Sequence, residues 1–426
     1  MRPAILLAVA AVVAAQGPTA PSVLSRGLLP AARPAPERAM FRPRAGIVSG
    51  YDTSPLTAAS ARGEGPFEEL DAGLAARRSG ERASLRLDYR AGFRHYPGNR
   101  RLDRSNHALN LDARFRLGRR VTLLFRDVGT SSAFGGPNPA PAGDLSAGFF
   151  LDGGPEVLHS RTLANTALAD VVVALSARTS LGIGGDGFIV ERQHRGLTDV
   201  AGWRARADVA HRYARRRTLT FSYAFTHFDH TRAFGGADYA VYAAGHSWRI
   251  AKRTELDLLA GAGRLRSAGA RAVELDAEIA RLLGVARGAE IYRLDTWAPH
   301  ALAAWTQGIG RGAVRVEFAR TVTDGGGLSG LARQNLLAAT AGGPLGRAWR
   351  LVAQANARTF RSLDTILYDS ITAAGGATLA RRLGSRAELV WRYQYSFYHF
   401  DRGPLSSFHR HQASTGLAYH FGDRPE

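Results

Sequence analysis

Apolar and polar residues alternate along much of this chain with a period of two. In Ala83–Tyr96 the odd positions hold Ala83, Leu85, Leu87, Tyr89, Ala91 and Phe93, while the even positions hold Ser84, Arg86, Asp88, Arg90, Gly92 and Arg94. Side chains two apart share a strand face, so the segment predicts a strand with one apolar and one charged side. The pattern recurs at Leu109–Leu117, Trp203–Tyr213, Leu219–Phe225 and Ala387–Phe397. The longer stretches reach the roughly 9 to 11 residues that a tilted strand needs to cross a bilayer core.

A soluble sandwich alternates in the same way, so the connections carry the distinction. Short basic reversals recur at Arg78-Ser79-Gly80, Gly118-Arg119-Arg120, Ala177-Arg178-Thr179, Arg215-Arg216-Arg217, Ala251-Lys252-Arg253, Gly310-Arg311-Gly312, Gly346-Arg347 and Arg382-Leu383-Gly384. Between them lie more variable connections, the longest at Ser132–Ser160 and Ser267–Asp295. Short turns on one side and longer loops on the other mark bacterial outer-membrane barrels. The expected fold is therefore all-β: a transmembrane, antiparallel, up-and-down β-barrel of about 18 strands. Without the two least regular segments, Ala45–Asp52 and Phe67–Arg77, the count falls to about 16.

The ends read as addresses. Met1-Arg2 followed by the apolar Ala4–Ala15, with small residues at Val13 and Ala15, predicts a signal peptide over 1–15. Residues 16–44 are rich in Pro, Ala and Arg and predict an extended periplasmic leader. The barrel is expected over 45–421, with a short tail at 422–426. Its last strand carries an outward stripe of Ala413, Thr415, Leu417, Tyr419 and Phe421. That stripe resembles the terminal strand read by the barrel-insertion machinery, with Leu417, Tyr419 and Phe421 as the expected signal.

Composition narrows the classes. Of 426 residues 45% are hydrophobic, yet beyond the first fifteen positions no apolar run nears the length of a spanning helix. Cysteine is absent, which removes disulfides, zinc ribbons and thiol nucleophiles. The formal charge is +20, and Lys252 is the only lysine. The arginines spread along the chain and gather at turns, unlike the clustered basic and aromatic surface of a nucleic-acid binder.

Candidate chemistry is sparse. Gly182, Gly184 and Gly187 fit a G-x-G-x-x-G pattern, but Phe188–Arg192 continues as strand where a dinucleotide site needs a helix. His227, Asp229 and His230, and the pair His409 and His411, are the nearest approach to metal-ligand spacing. Gly245-His246-Ser247 joins a base and a nucleophile, but neighbours on a strand point to opposite faces. No metal, cofactor or enzymatic activity is expected. Leu275, Ile279 and Leu282 have helical spacing within the longest loop, predicting a short helix that either narrows the pore or caps the rim.

Gly50-Tyr51-Asp52-Thr53-Ser54, the hairpin Arg77–Glu81, the strand through Tyr89 and Tyr96, and Leu117-Gly118-Arg119-Arg120-Val121-Thr122-Leu123 together carry a resemblance. Over residues 45–130 the chain resembles a β-barrel porin family found near exopolysaccharide genes and among acidobacterial outer-membrane proteins. The resemblance implies a passive barrel tied to polysaccharide export or envelope integrity.

If the apolar faces meet lipid, the charged faces line the lumen. Arg86, Asp88, Arg90, Arg94, Asp112, Arg114, Arg116, Arg204, Arg206 and Arg392 are the expected pore-lining residues. A barrel this wide holds an aqueous channel, and a basic lumen concentrates anions. The expected function is a porin-like channel for small hydrophilic solutes with an anion preference. The alternative is a non-transporting accessory barrel of the envelope linked to exopolysaccharide export. Outer-membrane lipid, the insertion machinery and small solutes or polysaccharide are the expected partners, and no oligomeric state can be read.

Overall fold

Each strand pairs with its sequence neighbours, and the first also pairs with the last, so the sheet closes on itself. The computed structural model describes residues 40–53, 65–132, 161–193, 198–231, 235–274, 276–283, 285–323, 331–363, 369–401 and 407–421. The segment expected as a signal peptide, most of the expected leader and the expected tail lie outside the described residues. The strands are β1 (Met40–Asp52), β2 (Gly65–Ser79), β3 (Ala83–His95), β4 (Arg104–Arg116), β5 (Val121–Ser132) and β6 (Thr162–Ala174). They continue with β7 (Thr179–Arg192), β8 (Val200–Ala214), β9 (Arg217–Asp229), β10 (Gly235–Ala251), β11 (Thr254–Glu274) and β12 (Arg287–Ile309). The last six are β13 (Gly312–Thr323), β14 (Ala332–Leu345), β15 (Trp349–Ser362), β16 (Ser370–Leu383), β17 (Ala387–Phe400) and β18 (Ser407–His420). All 18 belong to one antiparallel sheet, and β1 closes against β18 from Arg44↔His420 to Asp52↔Gln412. Closure leaves no sheet edge in the wall, which a barrel in lipid requires because hydrocarbon offers no hydrogen bonds.

The short turns behave as their composition dictates. Gly346 and Gly384 adopt φ of 88° and 91°, a region costly for any residue with a Cβ. Their arginine neighbours sit at the end of the barrel that carries both termini.

The alternating code resolves into an outer and an inner face. Large apolar residues on one parity are exposed: Leu70 at 60%, Ile183 at 54% and Phe221 at 57%. Charged residues on the other parity, such as Asp170, Arg206 and Arg410, are buried. Buried residues from β5, β7, β9, β11 and β12 also form one cluster, and they can meet only inside the closed cylinder. The outward surface is thus the one that faces hydrocarbon, as in an outer-membrane barrel. Aromatic residues with polar tips stand toward both ends of it. The Tyr213 hydroxyl lies 2.8 Å from His246 Nε2 near the turns, and the Tyr89 hydroxyl 2.9 Å from His107 Nδ1 toward the loops. Amphipathic rings of this kind suit the bilayer interface.

Two boundaries differ from expectation. β1 starts at Met40, inside the segment 16–44 expected as an extended leader, because Met40–Arg44 pair with Gly73–Arg77 of β2. Ser267–Asp295, expected as a loop, is largely a hairpin, with β11 and β12 paired as far as Glu274↔Arg287. A hairpin standing beyond the lipid satisfies its own backbone groups and needs no two-faced pattern, so alternation failed to reveal it. The expected helix over 272–283 forms as α1 (Ala277–Leu283) at the hairpin tip. Its first turn is capped by Asp276, whose Oδ1 accepts the Glu278 N–H at 2.9 Å. Leu282 on it is 83% exposed.

Candidate functional site: the barrel interior

The inward face carries nearly all of the charged chemistry. Arg86, Asp88, Arg90 and Arg94 of β3, Asp112, Arg114 and Arg116 of β4, Arg204 and Arg206 of β8, and Arg392 of β17 all share the inward parity. Leu417, Tyr419 and Phe421 share the outward one, and all three are exposed. The structure divides the inward set into two groups.

One group is locked into ion pairs. Arg206 holds Asp170 of β6 through Nε at 3.0 Å and Nη2 at 2.7 and 2.8 Å. Arg204 holds Asp186 of β7 at 2.8 and 2.6 Å. Arg94 holds Glu69 of β2 at 2.9 and 2.6 Å and lays its guanidinium over the Phe67 ring. Asp112 accepts Arg126 Nε of β5 at 2.5 Å. At the closing seam, the fully buried Asp52 accepts Arg410 at 3.1 and 2.7 Å, Gln412 at 2.6 Å and the Tyr96 hydroxyl at 3.1 Å. Such pairs hold the wall together and are poorly placed to bind a passing solute.

The other group is more open. Arg44 of β1 lies within Coulombic range of Arg90 and Arg392, with Asp71 and Asp88 as its acidic neighbours. Arg90 is 51% exposed, and Arg86, 3.7 Å from Asp88, is 34% exposed. Arg350 of β15 is 53% exposed despite its contact with Glu388, and the inward Val352 next to it is 38% exposed. Part of the wall from β15 through β1 to β3, around Arg350 and Arg90, is therefore accessible inside the barrel, while Asp52, Phe67 and Arg410 on the same wall are buried.

The opposite wall is filled. Phe188, Val190, Val200, Phe228, Tyr239, Val241, Leu259 and Leu265 pack into one buried cluster, in which Phe228 and Leu265 are wholly inaccessible. Phe188 and Phe228 meet edge to face at 5.6 Å. The Phe188 ring lies against Gly202, where a Cβ would stand 2.5 Å from its Cζ. Sequence reasoning assigned the inward face to polar residues and missed this cluster. A signal existed: in Phe188-Ile189-Val190 and Tyr239–Ala244 both parities are apolar, the mark of a strand covered on both sides.

The remaining candidates take structural places. His246 faces outward to Tyr213, whereas Ser247 is buried on the inward parity, so they do not form a catalytic pair. His227 bonds Asp238 at 2.8 Å on the outside, and His230 is buried on the other face. His409 and His411 stack with tyrosines on the outer wall. Among the described residues, no group of three potential ligands converges on a metal position. Within the G-x-G-x-x-G run, Gly182 and Gly184 provide room for the carboxylates of Asp208 and Asp170.

No family model matches the chain, and comparison with curated proteins finds no match. Solved structures of similar shape include Pseudomonas aeruginosa OccK2 (OpdF) in complex with glucuronate, at 14% identity and TM-score 0.44, covering 90% of this chain and 98% of that one. A BenF-like porin from Pseudomonas fluorescens Pf-5 matches at 9% identity and TM-score 0.43, covering 90% and 99%. Acinetobacter baumannii OccAB3 matches at 10% identity and TM-score 0.40, covering 89% and 99%.

Proposed function

We propose that this chain is a passive outer-membrane channel for small hydrophilic solutes, with a preference for anions. The observation that carries the reading is the accessible inner wall on which Arg44, Arg90 and Arg392 gather against only Asp71 and Asp88. Arg44 lies 3.4 Å from Asp71 and Arg90 3.3 Å from Asp88, so Arg44, Arg86, Arg90 and Arg392 meet two carboxylates here and the balance on this wall is positive. A fixed positive field beside a low-dielectric wall raises the local anion concentration and depletes cations.

The test is conductance of the purified protein in a planar bilayer under a potassium chloride gradient. A reversal potential of the sign given by chloride permeation supports the reading. Cation selectivity overturns the preference, and absence of conductance from folded barrels overturns the channel.

A second reading is favoured by the buried apolar cluster, which occupies part of the interior. It is an accessory envelope barrel without transport of its own, tied to polysaccharide export as the family resemblance implies. Folded, inserted barrels that pass no current would select it. In either reading the partners are outer-membrane lipid and, through the outward stripe at Leu417, Tyr419 and Phe421, the insertion machinery.

A further inference from the structure

The outer wall is not uniform where the barrel closes. Across β16, β17, β18 and β1 lies a concavity of about 590 Å³, walled by Tyr51, Trp391 and Tyr393 and floored by the small residues Ala377, Ala413 and Thr415. Tyr51 and Tyr393 are 47% and 49% exposed on the outward parity, so the hollow opens into the apolar band. Water-soluble ligands do not reach that depth, and hydrocarbon does.

A column of rings rises from the hollow toward the loop side. On the outer faces of β17 and β18, Tyr393 packs on His411 at 6.2 Å, His411 on Tyr395 at 5.0 Å, Tyr395 on His409 at 6.0 Å and His409 on Phe397 at 4.9 Å. Each histidine meets a phenol through Nδ1: His411 with Tyr393 at 2.9 Å and His409 with Tyr395 at 2.7 Å. When the phenol donates to Nδ1, the ring proton resides on Nε2, and both imidazoles present a fixed donor away from the barrel. From Thr415 to His409 is six strand residues, about 20 Å along the strand. A greasy hollow with two ring N–H donors at that distance above it matches an acyl chain joined to an anionic headgroup.

We infer that this seam is a binding site for a phosphorylated lipid of the outer leaflet, its acyl chain in the hollow and its phosphate on His409 and His411. The hollow selects a lipid over a soluble anion, and the paired donors select phosphate over a neutral headgroup. The site concerns the outer surface and is independent of whether the lumen conducts.

The experiment uses the full chain, refolded in detergent and freed of lipid, with bound lipid counted by native mass spectrometry. The probes are diphosphoryl lipid A, its dephosphorylated form, phosphatidylglycerol and inorganic phosphate. His409→Ala/His411→Ala should weaken diphosphoryl lipid A at least ten-fold. Ala413→Trp, which fills the hollow from outside, should remove lipid of every headgroup. Heat-modifiable gel mobility should show all variants folded, since the changed side chains touch only the outer surface. Phosphatidylglycerol, which also joins an acyl chain to a phosphate, should bind and lose affinity in the double variant; equal retention of either phosphorylated lipid by that variant, equal binding of dephosphorylated lipid A, or binding of inorganic phosphate alone with the same affinity would each overturn the site.

Discussion

Arg206 on β8 grips Asp170 on β6 by reaching over Gly184, the residue that separates them on β7. The three lie on one rung, Asp170↔Gly184 and Gly184↔Arg206, and the pair makes three hydrogen bonds of 2.7 to 3.0 Å. A Cβ at Gly184 would collide with the Asp170 carboxylate. The glycine is there to let two charges meet across a whole strand.

Removing Arg206 takes the guanidinium from Asp170, whose side chain is 1% exposed and stays buried in the wall. Arg206→Ala should therefore cost about 3–5 kcal/mol, the usual penalty for breaking a buried pair from one side. Gly184→Val should destabilise in the same direction by displacing the carboxylate. Urea unfolding in lipid vesicles, followed by tryptophan fluorescence, measures both, and a loss below 1 kcal/mol for Arg206→Ala would contradict the account.

Asp52 and Arg410 are 358 residues apart in sequence and join the first and last strands of the barrel. Asp52→Ala and Arg410→Ala should each lower the temperature at which the compact gel band disappears. The double variant should lose less than the two singles added, because each single strands a buried charge that the double removes.

Phe228 has no accessible surface and lies in the apolar fill rather than on the open wall. Phe228→Ala should cost about 3–5 kcal/mol, as for an aromatic deleted from a packed core. Ion selectivity should be unchanged, since the arginine track is on the other side of the lumen. Unfolding and reversal-potential measurements on the same preparation separate the two effects.

The open arginines should behave in the opposite way. Arg90→Gln and Arg392→Gln should leave stability nearly unaltered yet lower the anion-to-cation permeability ratio roughly five- to thirty-fold each at low salt, since one charge several ångströms from an ion in water is worth about 0.5–1 kcal/mol and its removal shifts anion and cation in opposite senses. The effect should shrink between 0.1 and 1 M salt as the screening length falls from about 10 to about 3 Å. Reversal potentials at the two concentrations provide the check.

The legible part of this protein is what depends on neighbours two apart. Leu85, Leu87 and Tyr89 against Arg86, Asp88 and Arg90 reveal a two-faced strand without reference to any other segment. The turns could be read for the same local reason, and with them the barrel and its strand number. Asp52 entered the reading only within Gly50–Ser54, one of the segments that carry the family resemblance, since its partners lie on β18 and just after β3.

Sequence alone determined which side of the alternating strands, such as β3, β4 and β8, is greasy, because that is a property of successive residues under a fixed two-residue repeat. Tertiary structure decided which charges neutralise one another and which stay open, because that depends on register between strands far apart in the chain. From the same list of inward arginines a structural set, Arg94, Arg204 and Arg206, separates from a more exposed pair, Arg86 and Arg90, only once the sheet has closed.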